Sequence, residues 1–378
     1  MTPEHKALAT SPINRITIVG LGLLGASLAS ILSKRSGIHI TGISSEATLQ
    51  EAMKEGIIHR SQPYSKILEA PEYSDLIILC TPIVHIQEVL KKWTHHPIDI
   101  PHTCIITDVG STKQAICEQA SQSFQASPNV HFIGSHPMAG SEQSGIHSRD
   151  PLLFENASWI LCPNSDSSQK HVRSLQMFAE SLGSHVAILS PEEHDQTVAQ
   201  VSHLPQLLST ALAGFASNQP NIQHHGLKIA GSGFRDMTRL AASTFSIWEP
   251  IINTNQSKVI ASLQAYMDYL GEILGAVTNR KLEPYFEKAF QLRHELVTNN
   301  SGFASNLSEV LVSIPDKPGV LHSLLKPFAE ENINVLDLEI LKVREGEFGT
   351  LRLAFKRHEE ATKAVAILQK NNYEARIR

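Results

Sequence analysis

The sequence predicts an α/β protein in three parts: an N-terminal doubly wound parallel sheet, an all-helical middle segment and a small C-terminal α+β sheet. Three observations predict it. From Arg15 to about Ser190 short β-branched runs alternate with helical stripes, the order that builds a parallel sheet covered on both faces. From about Pro191 to Thr298 the strand runs vanish and apolar residues follow helical spacing. After Ser308 the order becomes βαββαβ, the split ferredoxin-like arrangement. The corresponding domains are residues 1–190, 191–300 and 301–378.

In the first segment the clearest strands are RITIVG, HITGI, DLIILC, CIITDV and HFIG. They are continuous apolar runs, as buried parallel strands require. Between the first two, Leu24, Leu28, Ile31 and Leu32 form one helical stripe. In the second segment Val198, Val201, Leu208, Ala211, Leu212 and Phe215 follow helical spacing, and Pro205 should kink or break that helix. Two further helices run through 258–277 and 281–296, and helices this apolar suit a homodimer interface. Residues 298–308, TNNSGFASNLS, read as a linker. Then EVLVSI is a strand, DKPG a turn, Leu321–Phe328 a helix, NVLDLEIL and TLRLAF strands, and a last helix and strand close the chain.

Bulk properties exclude several classes. A net charge of -5 without a basic block gives no electrostatic basis for nucleic-acid binding. No run reaches the ~20 apolar residues of a membrane span. The N-terminus lacks the apolar stretch of a secretory signal, and the four cysteines, Cys80, Cys104, Cys117 and Cys162, form no CxxC pair. The expectation is a soluble, cytoplasmic protein with free, mostly buried thiols.

ITIVGLGLLGAS carries Gly20-x-Gly22-x-x-Gly25 between a strand and a helix, which is the context of a Rossmann dinucleotide-binding loop. Gly20 allows the tight turn, Gly22 lets backbone approach a pyrophosphate, and Gly25 lets helix and strand pack. Leu23 and Leu24 open the helix whose free amides would face the phosphates. The second strand ends at Ser44, where an acid would bind the ribose 2′-hydroxyl of NAD; Glu46 comes two residues late. Hydroxyls there suit a 2′-phosphate, yet no Arg is adjacent. The cofactor is therefore NAD or NADP, with a lean to NADP or dual use.

Three further segments can carry chemistry. ITDVGSTKQ places Ser111 after a strand, where open α/β sheets bind ligands; its structural alternative is a helix N-cap. GSHPMAGSEQSG places His136 before Pro137 in a small-residue loop, as a candidate general base. With 19 histidines in the chain, a structural role is the default for each. AGSGFRDMTRLAAS offers Arg239, whose planar fork suits a carboxylate; an exposed Asp236–Arg239 pair is the alternative. His194 and His203 flank the first helix of the middle segment, but no third ligand has convincing spacing, so no metal site is expected.

Taken in order, GLGLLGASLA, DLIILCTP, TDVGSTKQ, HPMAGSEQSG, FENASWIL, SPEEHDQTVAQVSHLP, GSGFRDMTRLA and VSIPDKPGVL resemble the prephenate dehydrogenase family over nearly the whole chain. The resemblance implies oxidative decarboxylation of prephenate to 4-hydroxyphenylpyruvate in tyrosine biosynthesis, with hydride transfer to NAD(P). It implies that His136 accepts a proton or hydrogen bond from the C4 hydroxyl, that Ser111 holds that hydroxyl and the nicotinamide, and that Arg239 binds a substrate carboxylate. Glu142 falls on a pocket acid, His203 and Trp248 on pocket positions, and Thr81 and Pro82 on the cofactor lining. Gln206 stands where a second pocket histidine is frequent, which opens prephenate against arogenate. Ser44 stands where many bacterial relatives have Asp, which opens NAD against NADP. The C-terminal segment resembles an ACT domain, implying an amino-acid effector such as L-tyrosine near Asp316, Pro318, Gly319, Asn332 and Asn334.

Two other readings follow from the same residues. An arogenate or cyclohexadienyl dehydrogenase has the same chemistry on an amino-acid side chain. A non-catalytic dinucleotide- and amino-acid-binding regulator has no use for Ser111, His136 and Arg239 together.

Overall fold

The computed structural model describes residues 13–140, 143–164, 167–219, 226, 229–300, 307–315, 317–342 and 348–377. Glu142, Asp316 and residues 301–306 of the expected linker lie outside them. The chain divides into two compact units, Met1–Gly271 and Glu272–Arg378.

The first unit is built on an eight-stranded sheet in the order β3-β2-β1-β4-β5-β6-β7-β8. Its strands are β1 (Arg15–Val19), β2 (His39–Ser44), β3 (Arg60–Pro63), β4 (Leu76–Leu79), β5 (Cys104–Asp108), β6 (Val130–Pro137), β7 (Ser158–Pro163) and β8 (His185–Ile188). Helices α1 (Leu23–Leu32), α2 (Glu46–Lys54), α3 (Ile83–Thr94), α4 (Gln114–Phe124) and α5 (Gln169–Ser181) alternate with them. The parallel core of the sheet is double-faced. Ile16, Ile18, Leu76 and Ile78 pack to one side, and Val19, Ile77, Leu79 and Ile106 to the other. Full burial on both faces is why these strands read as unbroken apolar runs.

The expected doubly wound sheet is present, with additions at its edges. β3 is short and polar, RSQP, and carries no apolar signal. β7 runs antiparallel to β6, pairing His136 with Ile160 and Pro137 with Trp159. That pairing extends β6 through Pro137, so His136 lies in a strand end and not in the loop that the flanking glycines and serines suggested. A backbone held on a ladder positions a side chain more firmly than a loop does.

The helical segment begins with α6 (Pro191–Val198), whose N-terminus carries a Ser190–Glu193 capping box. A wider π turn over Ala199–His203 follows, then α7 (Leu204–Ser217) with Pro205 in its first turn. The expected break at Pro205 is thus a local change of helical pitch, because proline supplies no amide hydrogen to the preceding turn. Next come α8 (Ser232–Thr238), a 3₁₀ turn at Arg239–Ala242, α9 (Phe245–Thr254) and α10 (Gln256–Thr278). α10 crosses the boundary between the two units.

The second unit holds the end of α10, α11 (Glu283–Asn300) and a four-stranded antiparallel sheet in the order β10-β11-β9-β12. Its strands are β9 (Ser308–Pro315), β10 (Asp337–Lys342), β11 (Phe348–Phe355) and β12 (Ala375–Ile377), joined by α12 (Val320–Glu330) and α13 (His358–Lys370). Alternate residues Val310, Val312 and Ile314 of β9 pack with Leu351 and Leu353 under Leu324, Phe328, Ala361, Ala364 and Leu368. This is the βαββαβ order read from the sequence.

Candidate active site

The cofactor loop sits at the carboxyl end of β1, beside β4, where the strand order reverses. Gly20 has φ +91°, and a side chain there would meet Thr81 and the Cys80 carbonyl. A Cβ on Gly25 would collide with the Gly20 carbonyl. Gly22 differs: a Cβ there meets nothing within 4 Å. Two glycines therefore serve packing and the third faces open space, the cradle that a pyrophosphate needs. Gly22 also begins α1 without a side-chain cap, leaving first-turn amides for an anion. The Thr81 Oγ1 is buried without a hydrogen-bond partner among the described residues, and Pro82 opens α3. Ser44, the last residue of β2, is buried, followed by exposed Ser45 and Glu46.

Ser111 and His136 occupy the same sheet edge. β5 and β6 are parallel neighbours, paired from Cys104↔Val130 to Thr107↔Ile133, and each residue lies at the carboxyl end of its strand. Ser111 is half-buried. It is not the N-cap of α4; that position is Lys113, which makes no side-chain cap bond. The first amides of α4 are satisfied from another element. Asp195 Oδ1 accepts from the Lys113 amide at 2.7 Å and Oδ2 from the Gln114 amide at 2.9 Å.

Asp195 also supports a histidine pair. His194 Nδ1 lies 2.8 Å from Asp195 Oδ1, and His194 Nε2 lies 2.9 Å from His136 Nδ1. His194 and Asp195 are completely buried, and His136 is 9% exposed. Burial raises the Asp195 carboxyl, but bonds from His194, Gln114 and Lys113 outweigh it and hold the group below the usual carboxylate range. Burial pushes the His136 imidazole well below its ordinary value, reinforced by His194, Lys113 and His203, so it is neutral near pH 7.

A second buried group stands beneath. Lys113 Nζ is paired with Asp108, donates to the Ser135 carbonyl at 2.8 Å, and is fully enclosed. Asp108 accepts from the Ser135 and Gly110 amides at 3.1 and 2.8 Å. These bonds tie the end of β5 to the residue preceding His136.

The helical residues form the neighbouring wall. His203, in the π turn, is buried; Asn255 Nδ2 stands 3.4 Å from its Nδ1 and donates to the Asp195 carbonyl at 2.8 Å. The Trp248 ring meets His203 edge-on at 5.9 Å. Burial pulls the His203 imidazole down to about 4. Gln206 is buried; its Nε2 donates to the Leu240 carbonyl at 2.9 Å, while its Oε1 has no partner among the described residues. The Ser209 hydroxyl accepts from the Ala241 amide at 3.1 Å, so α7 holds the turn that begins at Arg239. Arg239 is exposed, and among the described residues it makes no ion pair with Asp236.

The structure therefore brings His136 and His203 into one network with Trp248 against it, and sets Ser111 and the glycine loop along the same sheet edge. It places Gln206 next to the Arg239 turn. Sequence reading missed His194 and Asp195 as partners of His136, and missed Lys113, Asp108 and Asn255. The signal available was HDQ after a capping serine, weighed only as a metal ligand. The expected free thiols are present, with Cys104, Cys117 and Cys162 buried and Cys80 partly so.

A dinucleotide loop, a neutral buried histidine and a hydroxyl on adjacent strand ends define a nicotinamide-dependent dehydrogenase fold. Comparison with known proteins narrows the class. Family profiles match for "Prephenate dehydrogenase, nucleotide-binding domain" over residues 28–204, "Prephenate dehydrogenase, dimerization domain" over 190–292 and "ACT domain" over 308–371. The prephenate dehydrogenase of Lactococcus lactis subsp. cremoris is 32% identical over 95% of this chain and 98% of its own. The prephenate dehydrogenase of Aquifex aeolicus, solved with hydroxyphenyl propionate and NAD+, has a TM-score of 0.67 and 26% identity, covering 76% of this chain and 99% of that one. Synechocystis arogenate dehydrogenase gives 0.65 and 32%, covering 75% and 99%. The chain belongs to the prephenate dehydrogenase family.

Proposed function

We propose that this protein oxidatively decarboxylates prephenate to 4-hydroxyphenylpyruvate, with reduction of a nicotinamide dinucleotide, in tyrosine biosynthesis. The observation that carries the reading is His136: buried, neutral and fixed on a strand end beside Ser111, at the sheet edge that carries the glycine loop. The bound nicotinamide would accept the C4 hydride. His136 takes the proton of the C4 hydroxyl as the C4 oxygen becomes a carbonyl. The electrons of the ring–carboxylate bond pass through the ring to the C4 oxygen, CO2 leaves, and the resulting phenolate takes up a proton to become the phenol. Ser111 orients the hydroxyl, and Arg239, exposed and without an ion pair among the described residues, reaches out to clamp a substrate carboxylate. His203, Trp248 and Gln206 complete the pocket, and the family resemblance assigns Glu142 as its acid. Gly20, Gly22, Leu23, Leu24, Gly25, Ser44, Thr81 and Pro82 hold the cofactor.

Ser44 neither repels a 2′-phosphate as an acid would nor attracts it as an arginine would. The cofactor is accordingly NAD or NADP, with a lean to NADP or dual use. A second substrate reading has its own support. With Nε2 committed to Leu240, the Gln206 Oε1 is an acceptor without a partner among the described residues, and an acceptor suits the ammonium of arogenate better than the keto group of prephenate. Initial rates with prephenate and with arogenate, each with NAD and NADP, test both choices. A rate with neither substrate would remove the enzyme reading.

The functional segments are 1–190 for the dinucleotide, 191–300 for substrate and dimerisation, and 301–378 for regulation. α10 exposes Ile260, Met267, Leu270, Leu274 and Val277, and α11 exposes Phe286, Phe290 and Leu292, apolar surface that a homodimer would cover. Light scattering should give twice the mass of one chain. In the C-terminal unit a concavity of about 250 Å³ is lined by Pro315, Lys317, Gly319, Val320 and Ile340. It is the site we assign to L-tyrosine, with Pro318 in the same turn; Asn332 and Asn334 are exposed after α12. No helix among the described residues is long and apolar enough to cross a membrane. The reading as a biosynthetic enzyme of small water-soluble intermediates supports a cytoplasmic location.

A further inference from the structure

We infer that His194 and Asp195 are positioning residues that fix the tautomer of His136, so that its Nδ1 carries the proton and its Nε2 presents a bare lone pair to substrate. The inference rests on the reading of His136 as the proton acceptor.

The argument follows the protons. Asp195 is an ionised acceptor, so the proton in its 2.8 Å contact belongs to His194 Nδ1. His194 Nε2 is then the acceptor at 2.9 Å, and His136 Nδ1 donates to it. The opposite arrangement, with His194 protonated on both nitrogens and donating, would add a cation to a buried cluster that already encloses Lys113 Nζ and holds His136 and His203 neutral. Asp195 has anchors besides His194. The head of α4 supplies two amides to its carboxylate, and Asn255 holds its carbonyl. The same carboxylate thus registers both His136, through His194, and the turn carrying Ser111, through Lys113 and Gln114. When His136 takes the substrate proton, the hydrogen bond from its Nδ1 strengthens, and the new charge faces a chain that ends on a carboxylate.

The tautomer can be read without turnover. In full-length protein labelled with ¹⁵N-histidine, long-range ¹H–¹⁵N spectra distinguish Nδ1–H from Nε2–H, and the His136 signals are assigned by their loss in His136→Asn. The expected result is the Nδ1–H form in the free enzyme. The Nε2–H form would overturn the inference whether or not the enzyme turns over prephenate; Nδ1–H without turnover would instead leave it standing and remove the functional reading. Kinetics supply the second arm. His194→Phe should lower kcat on the order of 100-fold with KM changed less than about threefold, while His194→Gln, whose carboxamide oxygen can accept the same bond, should recover at least about 10-fold of the loss. Unchanged kcat in His194→Phe would overturn the inference.

Discussion

His136 pairs with Ile160 through the backbone and with His194 through the ring, so neither its position nor its orientation depends on a flexible loop. His136→Asn keeps a polar group of similar reach but removes the basic nitrogen. Turnover should fall by about 100-fold or more, read as initial velocity at saturating substrate. His203 makes a prediction about stability instead. Its folded-state value is about 4, below the ~6.5 of an exposed imidazole, so the unfolded chain binds the proton first as pH falls. Stability from this group is complete above ~6.5 and is lost as pH drops toward about 4, a cost on the order of 2–3 kcal/mol for a residue 2% exposed. Urea midpoints between pH 7 and 4.5 should fall, and His203→Gln should make the fall shallower. Midpoints that rise on acidification would contradict the burial argument.

At the scale of elements, the glycine loop separates two kinds of effect. Gly25→Ala drives a methyl into the Gly20 carbonyl and should cost about 1–3 kcal/mol of stability, seen as a lower Tm. Gly22→Ala meets no protein atom. It should stay within about 1 kcal/mol of the parent yet raise the KM for dinucleotide about 10-fold or more. Equal effects of the two changes on Tm would sink that division. The same elements show what the sequence makes legible. β1, β2, β4 and β5 announce themselves because both their faces are covered; β3 does not, because a polar edge strand has no apolar face to repeat. The antiparallel turn-back of β7 carried His136 out of its expected loop, and that pairing is a long-range fact with no local signature. Single positions such as Gly20, Ser111 and His136 were legible because their spacing from a strand is local. The Asp195 bonds to Lys113 and Gln114 span about eighty residues of sequence and were not. Lys113, fully buried, is the sharpest case: nothing near it in sequence foretells enclosure with Asp108. Lys113→Met leaves that carboxylate buried without its partner and should cost about 3–5 kcal/mol by chemical denaturation.

For the whole molecule, two units with separate cores imply separable duties. The core under β9–β12 is made from residues 310–377, and the two cores of the large sheet lie entirely before Gly271. Ending the chain at Leu307 should leave basal turnover within a few-fold of full length and abolish inhibition by tyrosine. Equal inhibition of both forms would take the C-terminal unit out of the regulatory account. The central claim concerns the chemistry, and one measurement meets it directly. Prephenate and NAD or NADP are mixed with the purified full-length protein, reduced nicotinamide is followed by absorbance, and the organic product is identified. The account predicts reduced nicotinamide and 4-hydroxyphenylpyruvate in equal amounts, with loss of both in His136→Asn. Absence of reduced nicotinamide with prephenate and with arogenate, using either dinucleotide, would contradict it.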